Sequence, residues 1–143
     1  MKSLISLRIA SALGLLAASL TAAQTVRQTT VKPTPASSGA QMFHEYCAVC
    51  HGNTGKGDGP AAPALKKSPA NLTDLQARNK GTFPGNHIFS VIKGDPDMPS
   101  AHGSKDMPVW GTVFNSLSHG NSSEVQLRIT NLVEYVKSMQ VKM

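Results

Sequence analysis

The clearest pattern of apolar and polar positions lies near the C-terminal end of the chain. Apolar residues recur there every three or four positions, at Val125, Ile129, Leu132, Val133 and Val136. This spacing places them on one face of a helix, so it predicts an amphipathic helix that packs on a core. Residues 121–124 offer caps and an early acidic side chain, and Ser123 with Gln126 has the spacing of a capping box.

A second apolar stripe lies in the first half of the chain. Its members, at intervals of one, three, one and three residues, are Met42, Phe43, Tyr46, Cys47 and Cys50. The pattern predicts a helix that Ser38 caps. Gly39 shares a face with Phe43, and a glycine at that position would let another helix approach closely.

Between these two helices the predicted elements are short. Residues 72–78 predict one short helix, Asn86 can cap a second that ends at Gly94, and a further helical turn is expected after Trp110. No segment alternates with a period of two, so no strand is predicted. The expected fold class is therefore all-α, with about five mostly short helices joined by glycine-rich loops.

The N-terminal residues differ in character from the rest of the chain. Residues 1–23 combine basic charge, an apolar run over 9–20 and the small residues Thr21-Ala22-Ala23, which is the pattern of a cleaved signal peptide. The apolar run is shorter than the roughly 20 residues that span a bilayer, and an uncleaved anchor is the alternative interpretation. The polar segment 24–37 contains prolines and predicts a flexible linker, so 38–143 is expected to form one domain.

Charge limits the functions that this domain can have. The chain carries 14 lysines and arginines against 8 aspartates and glutamates, and loss of the signal peptide would remove Lys2 and Arg8. The remaining basic excess is small and scattered, and aromatic residues are few, which argues against nucleic-acid binding. The export signal places the expected site of action in the periplasm.

The stretch with the strongest chemical signal is Cys47-Ala48-Val49-Cys50-His51, which contains the only two cysteines of the chain. A C-x-x-C-H run is the attachment signature of a c-type haem, in which each thiol adds to a porphyrin vinyl group and the histidine ligates the iron. Residues i and i+3 lie on one side of a helical turn, so both sulfurs can reach one porphyrin edge. A buried haem would also add apolar surface to a domain with few large apolar residues.

Other kinds of site explain this stretch less completely. A thioredoxin-like redox pair belongs in a βαβ setting, which the surrounding pattern lacks. A structural zinc site needs a second ligand pair, and the chain has none at the required spacing. A disulfide between the two cysteines would leave His51 without a role.

Taken together, these motifs resemble the class I monohaem c-type cytochromes, in particular bacterial exported ones, over nearly all of 38–143. The segments that carry the resemblance are Gly39-x-x-x-Phe43 leading into CAVCH, HGNTGKGDGPAAPAL after it, SKDMPVWG, and Leu132-x-x-Tyr135. The resemblance implies a compact helical fold in which the first and last helices cross beside the haem. Gly39 would lie at that crossing.

The resemblance also implies the ligand on the proximal side. His51 would ligate the iron, and a proline carbonyl would accept a hydrogen bond from its other ring nitrogen, which fixes the tautomer and the ligand basicity. Pro63, in Pro63-Ala64-Leu65, matches the family's P-x-L spacing and is the preferred partner. Pro60 is the alternative.

Two methionines qualify for the distal side, because Met98 and Met107 each precede a proline in a loop. Met107 is followed by Val109-Trp110-Gly111, which could seal a ring from water, and the resemblance makes Met107 the expected axial ligand. Met98 and His102 are the alternatives. Trp110 is expected either on the haem side, with its N–H bonded, or in plain core packing.

The function implied by the resemblance is one-electron transfer without chemistry on a small-molecule substrate, since two strong axial ligands leave the iron no open position. The expected protein is an electron carrier in a periplasmic redox chain and not an enzyme. One alternative is a haem c subunit or module of a larger membrane-associated oxidoreductase. Another is an enzyme or gas sensor with an open iron position.

The expected partners are redox proteins with acidic docking surfaces. Lysines could surround an exposed haem edge and steer such a partner; they are Lys56, Lys66, Lys67, Lys80, Lys93 and Lys105. The alternative is that they are ordinary solvated lysines. His44, His87 and His119 are expected to be surface residues rather than ligands.

Overall fold

The computed structural model describes residues 31–95 and 107–142. In chain order the elements are α1 (Gly39–Met42), a π-helical segment (Phe43–Cys47), α2 (Ala48–His51), a 3-10 turn (Ala62–Ala64), α3 (Leu75–Arg78), α4 (Gly85–Lys93), α5 (Trp110–Leu117) and α6 (Ser122–Ser138). These two ranges contain helices and no strand, which confirms the predicted all-α class. No helix within them is both long and apolar enough to cross a membrane.

The first three elements follow one another without a break and form one helical run that ends in the cysteine motif. Its start is the predicted one: the Ser38 side chain caps it by accepting a hydrogen bond from the Gln41 N–H at 3.2 Å. The π-helical segment closes with an Ala48 N–H that donates to the Phe43 carbonyl, five residues back. A π turn adds one residue to the helical cycle, so it changes the rotation at which α2 follows α1 along the run.

The first and last helices cross at Gly39, as expected. Gly39 is buried, and a side-chain carbon at this position would overlap the backbone carbonyl of Asn131 and lie 3.0 Å from the Tyr135 Cβ. Only glycine permits this distance between α1 and α6. The crossing fixes the helical run that ends in the cysteine motif against the longest helix of the described chain.

One predicted helix start is confirmed and another is wrong. Helix α6 is capped by Asn121, one of the predicted caps, whose side chain accepts from the Glu124 N–H at 3.2 Å; Ser123 already lies inside the helix and is not the cap of a capping box. Helix α4 begins at Gly85 after Pro84, so Asn86 is not its cap. Its end is the predicted one, because Gly94 adopts the left-handed conformation at φ 79° and ψ 49°.

The core lies between the first helical run, α5 and α6. Its largest fully buried side chains are Phe43, Phe114, Met42, Ile129 and Leu132. An aromatic group continues it, in which the Tyr46 ring stacks on Trp110 at 5.4 Å and 26°. Trp110 also packs on Phe114, with ring centroids 5.6 Å apart. Aromatic residues of the π-helical segment and α5 thus form one continuous apolar interior.

Residues 32–36, which we call the N-terminal strap, lie against the domain although the sequence predicts a flexible linker over 24–37. The hydroxyl of Tyr46 donates to the Lys32 carbonyl at 2.7 Å. Arg128 Nη1 and Asn131 Nδ2 donate to the carbonyls of Thr34 and Ala36, each at 2.8 Å. The compact unit to which the strap belongs begins at Val31. Residues 1–30 lie outside the described chain, and so does the predicted signal peptide.

Candidate functional site

The cysteine motif occupies the end of the first helical run. Cys47 is the last residue of the π-helical segment, and Cys50 and His51 close α2. Both cysteines are partly exposed, and their thiols are free rather than joined in a disulfide. The structure therefore brings these three residues together within about one helical turn, as predicted.

The acidity of Cys47 does not match that of a redox-active thiol. Burial, and to a smaller extent the neighbouring Cys50, raise the pKa of the Cys47 thiol to about 12. Thioredoxin-like pairs instead lower the pKa of the attacking cysteine, because the thiolate is the nucleophile. This finding agrees with the absence of a βαβ setting in the described chain.

The glycine-rich loop after His51 satisfies the end of α2. A helix leaves its last four carbonyls without internal partners. Here the N–H groups of Gly52, Ala61, Gly59 and Gly57 donate to the carbonyls of Ala48, Val49, Cys50 and His51 respectively, at 2.8–3.1 Å. The loop is thus folded back over the helix end, and all four carbonyls of α2 are bonded.

Glycine is required at particular places in this loop. Gly52 and Gly57 have φ values of 78° and 85°, in the left-handed region that other residues avoid. At Gly59 a side-chain carbon would lie only 2.5–2.6 Å from the backbone of α2. The G-x-G spacing in this segment therefore serves the close packing of loop on helix.

A hydrogen bond holds the His51 ring through Nδ1, which leaves the other ring nitrogen, Nε2, for a metal. Its Nδ1 lies 3.0 Å from the carbonyl oxygen of Ala70. This corrects the expectation of a proline carbonyl: Pro63 lies in the exposed 3-10 turn, Pro60 is exposed as well, and neither carbonyl is the partner. Ala70 stands two residues before Leu72, the spacing expected of Pro63 before Leu65.

The segment that carries Ala70 is fixed by its neighbours. The Leu72 N–H donates to the Gly55 carbonyl at 2.7 Å, and the Leu72 side chain packs on the core. Asn71 Oδ1 accepts from the N–H and the hydroxyl of Thr73, at 2.9 and 2.8 Å, in an Asx-type turn. The Gly57-containing loop and this turn together hold the Ala70 carbonyl at His51.

The environment of His51 favours its neutral form. Burial lowers the pKa of the His51 imidazole, and the hydrogen bond to the Ala70 carbonyl opposes that effect in part. A neutral imidazole with its proton on Nδ1 donates to Ala70 and keeps the Nε2 lone pair free. That is the tautomer in which a histidine ligates a metal through Nε2.

Met107 approaches the same core from another part of the chain. Its side chain is partly buried and packs on the core, as that of Cys47 does. It stands three residues before Trp110, where α5 begins. Trp110 is 8% exposed, and its described ring contacts with Tyr46 and Phe114 agree with core packing. Met98, His102 and Lys105 lie outside the described residues.

The remaining lysines and histidines are exposed, as the sequence indicates. The exposed lysines of the predicted docking set are Lys56, Lys66, Lys67, Lys80 and Lys93. His44, His87 and His119 are exposed too, and His44 Nε2 lies 3.3 Å from the Tyr135 hydroxyl. These histidines lie on the surface of the described chain, as predicted.

One buried charged residue was not predicted. Arg128 is 5% exposed, pairs with Glu124 at 2.7 Å, and donates to Ser118 Oγ at 3.1 Å and to the Thr34 carbonyl. The sequence carries a signal for it, because Arg128 falls three residues after Val125, in the apolar stripe of α6, and four after Glu124. A charged residue in such a stripe is buried only when its charge is paired.

The groups gathered here fit a covalently attached haem. Two free thiols stand three residues apart at one helix end, beside an imidazole whose Nδ1 is already bonded. A thioether from Met107 packs on the core that Cys47 also contacts. Thiols for the attachment, a neutral imidazole and a thioether make up the donor set of a c-type haem with histidine and methionine ligands.

Comparison with known proteins agrees with this chemistry. A family model described as cytochrome c matches residues 36–140, a range that includes the cysteine motif, Ala70 and Met107. No curated protein and no solved structure gives a significant match. The chain therefore belongs to the cytochrome c family, binds haem c covalently and takes part in electron transfer through the haem iron.

Proposed function

We propose that this protein is a periplasmic one-electron carrier in which Cys47 and Cys50 hold a single haem c and His51 and Met107 are its axial ligands. The observation that carries this proposal is the bonded His51 ring. Its Nδ1 lies 3.0 Å from the Ala70 carbonyl, so Nε2 is the ring nitrogen left for a metal. A histidine held in this way, directly after two free cysteines, is arranged for a permanent ligand rather than for proton transfer.

Each residue of the proposed site has a separate role. Cys47 and Cys50 fix the position of the cofactor by covalent bonds, and the loop over the end of α2 keeps their helix turn rigid. Ala70 holds the orientation of His51, and Met107 is placed by the start of α5. Bound haem supplies an iron that alternates between the ferric and ferrous states, and two strong axial ligands leave it no open position for a substrate.

Export belongs to the proposal. Residues 1–23 have the charge, apolar run and small-residue site of a signal peptide. Covalent haem attachment takes place on the outer side of the energy-transducing membrane, which agrees with an exported chain. The redox partners that we propose are proteins with acidic docking surfaces, since the five described lysines of the docking set are all exposed.

A haem c module of a larger membrane-associated oxidoreductase is the second candidate. Two exposed valines favour it: Val49, between the cysteines, is 49% exposed, and Val109, two residues after Met107, is 51% exposed. Isolated surface valines also occur on monomeric proteins, so the two candidates differ in their assembly state rather than in the site. Sedimentation of the full-length holoprotein, purified without detergent, distinguishes the two candidates. A carrier should sediment as a monomer, whereas a subunit should stay with a membrane complex.

The direct test is a pyridine haemochrome spectrum of the purified full-length protein, recorded before and after extraction with acidified acetone. We expect the haem to stay with the polypeptide and to show the spectrum of a haem with both vinyl groups saturated. Cys47→Ala should shift this spectrum to that of a haem with one thioether bond. Haem that is extracted by the solvent, or a spectrum of unmodified protohaem, would contradict the proposal.

Carbon monoxide distinguishes a carrier from an enzyme or gas sensor with an open iron position. Two strong ligands should keep the reduced protein from binding carbon monoxide at neutral pH. Rapid and tight binding by the parent protein would show an open position, and it would remove the carrier function while leaving the haem attachment intact.

A further inference from the structure

The N-terminal strap is bonded to the domain through alternate carbonyls. The carbonyls of Lys32, Thr34 and Ala36 accept hydrogen bonds from Tyr46, Arg128 and Asn131. These three bonds lay the strap along the domain, and one of them is made to the residue before Cys47.

Tyr46 joins this strap to the site. Its hydroxyl donates to the Lys32 carbonyl at 2.7 Å, and the hydroxyl of Thr34 donates to the Tyr46 oxygen at 2.9 Å. The side chain is 5% exposed, so these two bonds are shielded from competing water. They fix the far end of the ring, while the peptide bond to Cys47 fixes the near end.

The Tyr46 ring in turn supports the segment that carries Met107. It stacks on Trp110, the first residue of α5, with centroids 5.4 Å apart and planes at 26°. The same helix start is enclosed on the side of α4, because a side-chain carbon at Gly111 would overlap the Lys93 carbonyl. The start of α5 thus lies between the end of α4 and the Tyr46 ring.

Arg128 fixes the strap to the domain. It is buried, and its Nη1 donates to the Thr34 carbonyl at 2.8 Å while Nη2 pairs with Glu124 at 2.7 Å. A buried arginine that donates from all three of its nitrogens holds its partners more rigidly than an exposed one. Thr34 is therefore fixed through its carbonyl at the point where its hydroxyl contacts Tyr46.

We propose that Tyr46 is a positioning residue for the axial methionine: the strap fixes its hydroxyl, its ring fixes Trp110, and Trp110 sets the place of Met107. This inference rests on the proposed function, in which Met107 is the distal ligand. Loss of the Tyr46 hydroxyl leaves the ring free to tilt, so the Met107 segment leaves the iron more often. The protein with Met107 displaced is then more populated, although every ligand is still present.

The test is the binding of imidazole to the ferric holoprotein, because added imidazole competes with the distal ligand. The apparent dissociation constant equals the intrinsic one divided by the fraction of protein whose distal position is open. Tyr46→Phe removes two part-buried hydrogen bonds, so we expect its apparent dissociation constant to fall about fivefold or more. Thr34→Val removes one of the two bonds and should give a smaller change in the same direction.

Tyr135→Phe is the matched control. Tyr135 is the other tyrosine of the chain, and its hydroxyl contacts His44 at 3.3 Å on an exposed face. Its removal should leave the affinity for imidazole within about twofold of the parent protein, because exposed hydrogen bonds contribute little. A fall as large as that of Tyr46→Phe would show that any tyrosine hydroxyl has this effect, and it would overturn the inference.

The same titration in a Met107→Ala background separates the inference from the function on which it rests. Met107→Ala should bind imidazole much more tightly than the parent, and Tyr46→Phe should then add nothing. If Met107→Ala binds no more tightly than the parent, Met107 is not the displaced ligand and the proposed ligation is wrong. If it binds tightly but Tyr46→Phe has no effect in the parent, only the inference fails.

An equal effect of Tyr46→Phe in both backgrounds would show that Tyr46 acts on the iron site by another route, and this too would overturn the inference. Should Tyr46→Phe yield no folded holoprotein, Thr34→Val takes its place in both backgrounds. The criteria are then the same: tighter imidazole binding that depends on Met107 supports the inference, and unchanged binding overturns it.

Discussion

The Nδ1 atom of His51 lies 3.0 Å from the carbonyl oxygen of Ala70, nineteen residues further along the chain. This bond joins the helix that carries the cysteines to the turn that precedes α3. In the ligation that we propose, it fixes the tautomer of His51 and raises the basicity of that ligand. The geometry of that turn therefore bears on the redox potential of the site.

The first prediction concerns Asn71, whose side chain forms the Asx-type turn next to Ala70. Asn71→Ala removes both bonds to Thr73, so the Ala70 carbonyl is less firmly held and the basicity of His51 falls. A less basic ligand stabilises the ferric state less, and we expect the reduction potential to rise by about 20–60 mV, given 59 mV for a tenfold change in a one-electron couple. Spectroelectrochemical titration of the holoprotein measures it.

Asn79→Ala is the control for this prediction. The Asn79 side chain also makes a local hydrogen bond, donating from Nδ2 to the Thr82 carbonyl at 2.7 Å, but this bond does not involve the segment that holds His51. The reduction potential of Asn79→Ala should match that of the parent protein. Equal shifts in both variants, or none in Asn71→Ala, would contradict the role of the turn.

The second prediction concerns the helix crossing at Gly39. Gly39→Ala would force the added methyl group against the Asn131 carbonyl, so α1 and α6 must move apart. We expect the free energy of unfolding to fall by about 1–3 kcal/mol, the usual range for overpacking. Denaturant unfolding of the holoprotein, followed by its helical signal, measures this change.

Gly85→Ala provides the comparison, because an added carbon at Gly85 would meet its neighbours only at 3.7–3.8 Å and the backbone there is helical. It should be neutral, or stabilising by up to about 1 kcal/mol, since alanine restricts the unfolded chain. A Gly39→Ala protein as stable as Gly85→Ala would show that the crossing tolerates a side chain.

The third prediction compares two arginines that pair with an acid four residues earlier. Arg128 is buried and bonds Glu124 at 2.7 Å, whereas Arg78 is exposed and bonds Asp74 at 2.8 Å. Arg128→Met leaves the Thr34 carbonyl and Ser118 without their donor, so we expect a loss of about 1–3 kcal/mol of stability. Arg78→Met should cost no more than about 1 kcal/mol, because exposed pairs contribute little. Chemical unfolding measures both stabilities. Similar losses of stability in the two variants would show that burial does not determine how much such a pair contributes.

The fourth prediction concerns electrostatic steering by the exposed lysines. A double variant, Lys66→Glu with Lys67→Glu, should slow oxidation of the reduced protein by ferricyanide at low salt, since this anion is attracted by a basic surface. The difference from the parent should shrink as salt screens the charges over about 10 Å at 0.1 M. Stopped-flow rates across a range of ionic strength measure both effects.

The matching control places the same charge change on two other lysines, as Lys137→Glu with Lys142→Glu. If this pair slows the reaction as much, net charge rather than the proposed docking set controls the rate. If neither pair changes the rate at low salt, the lysines of the docking set are ordinary solvated residues.

Local patterns predicted the helices well, because periodicity and capping depend on neighbours in the chain. Ser38 and Gly94 terminate helices as expected, and the apolar face of α6 is buried. For α6 the sequence offers several caps over residues 121–124, and Asn121 is the one that occupies the position. Several polar residues in succession can all serve as caps, and only the packing of the helix selects one of them.

Long-range contacts were predicted less well. The partner of His51 is the backbone carbonyl of Ala70. Every residue has such a carbonyl, so the residue type did not point to Ala70. Pro63 was preferred because it matched the P-x-L spacing. The strap is predicted as a linker because residues 24–37 are polar and contain prolines. Its bonds to the domain use backbone carbonyls, which the residue types do not reveal. Arg128 carried a visible signal, since a charge stands in an apolar stripe, but its partner Thr34 is 94 residues away.

The central claim is that Met107 is the distal ligand, and the ferric iron–thioether charge-transfer band tests it most directly. The band should be present in the parent holoprotein and absent in Met107→Ala, which should also have a lower potential and bind carbon monoxide when reduced. Met98→Ala is the matched variant, because Met98 too precedes a proline, and it should retain the band. A band that survives in Met107→Ala and disappears in Met98→Ala would contradict the account.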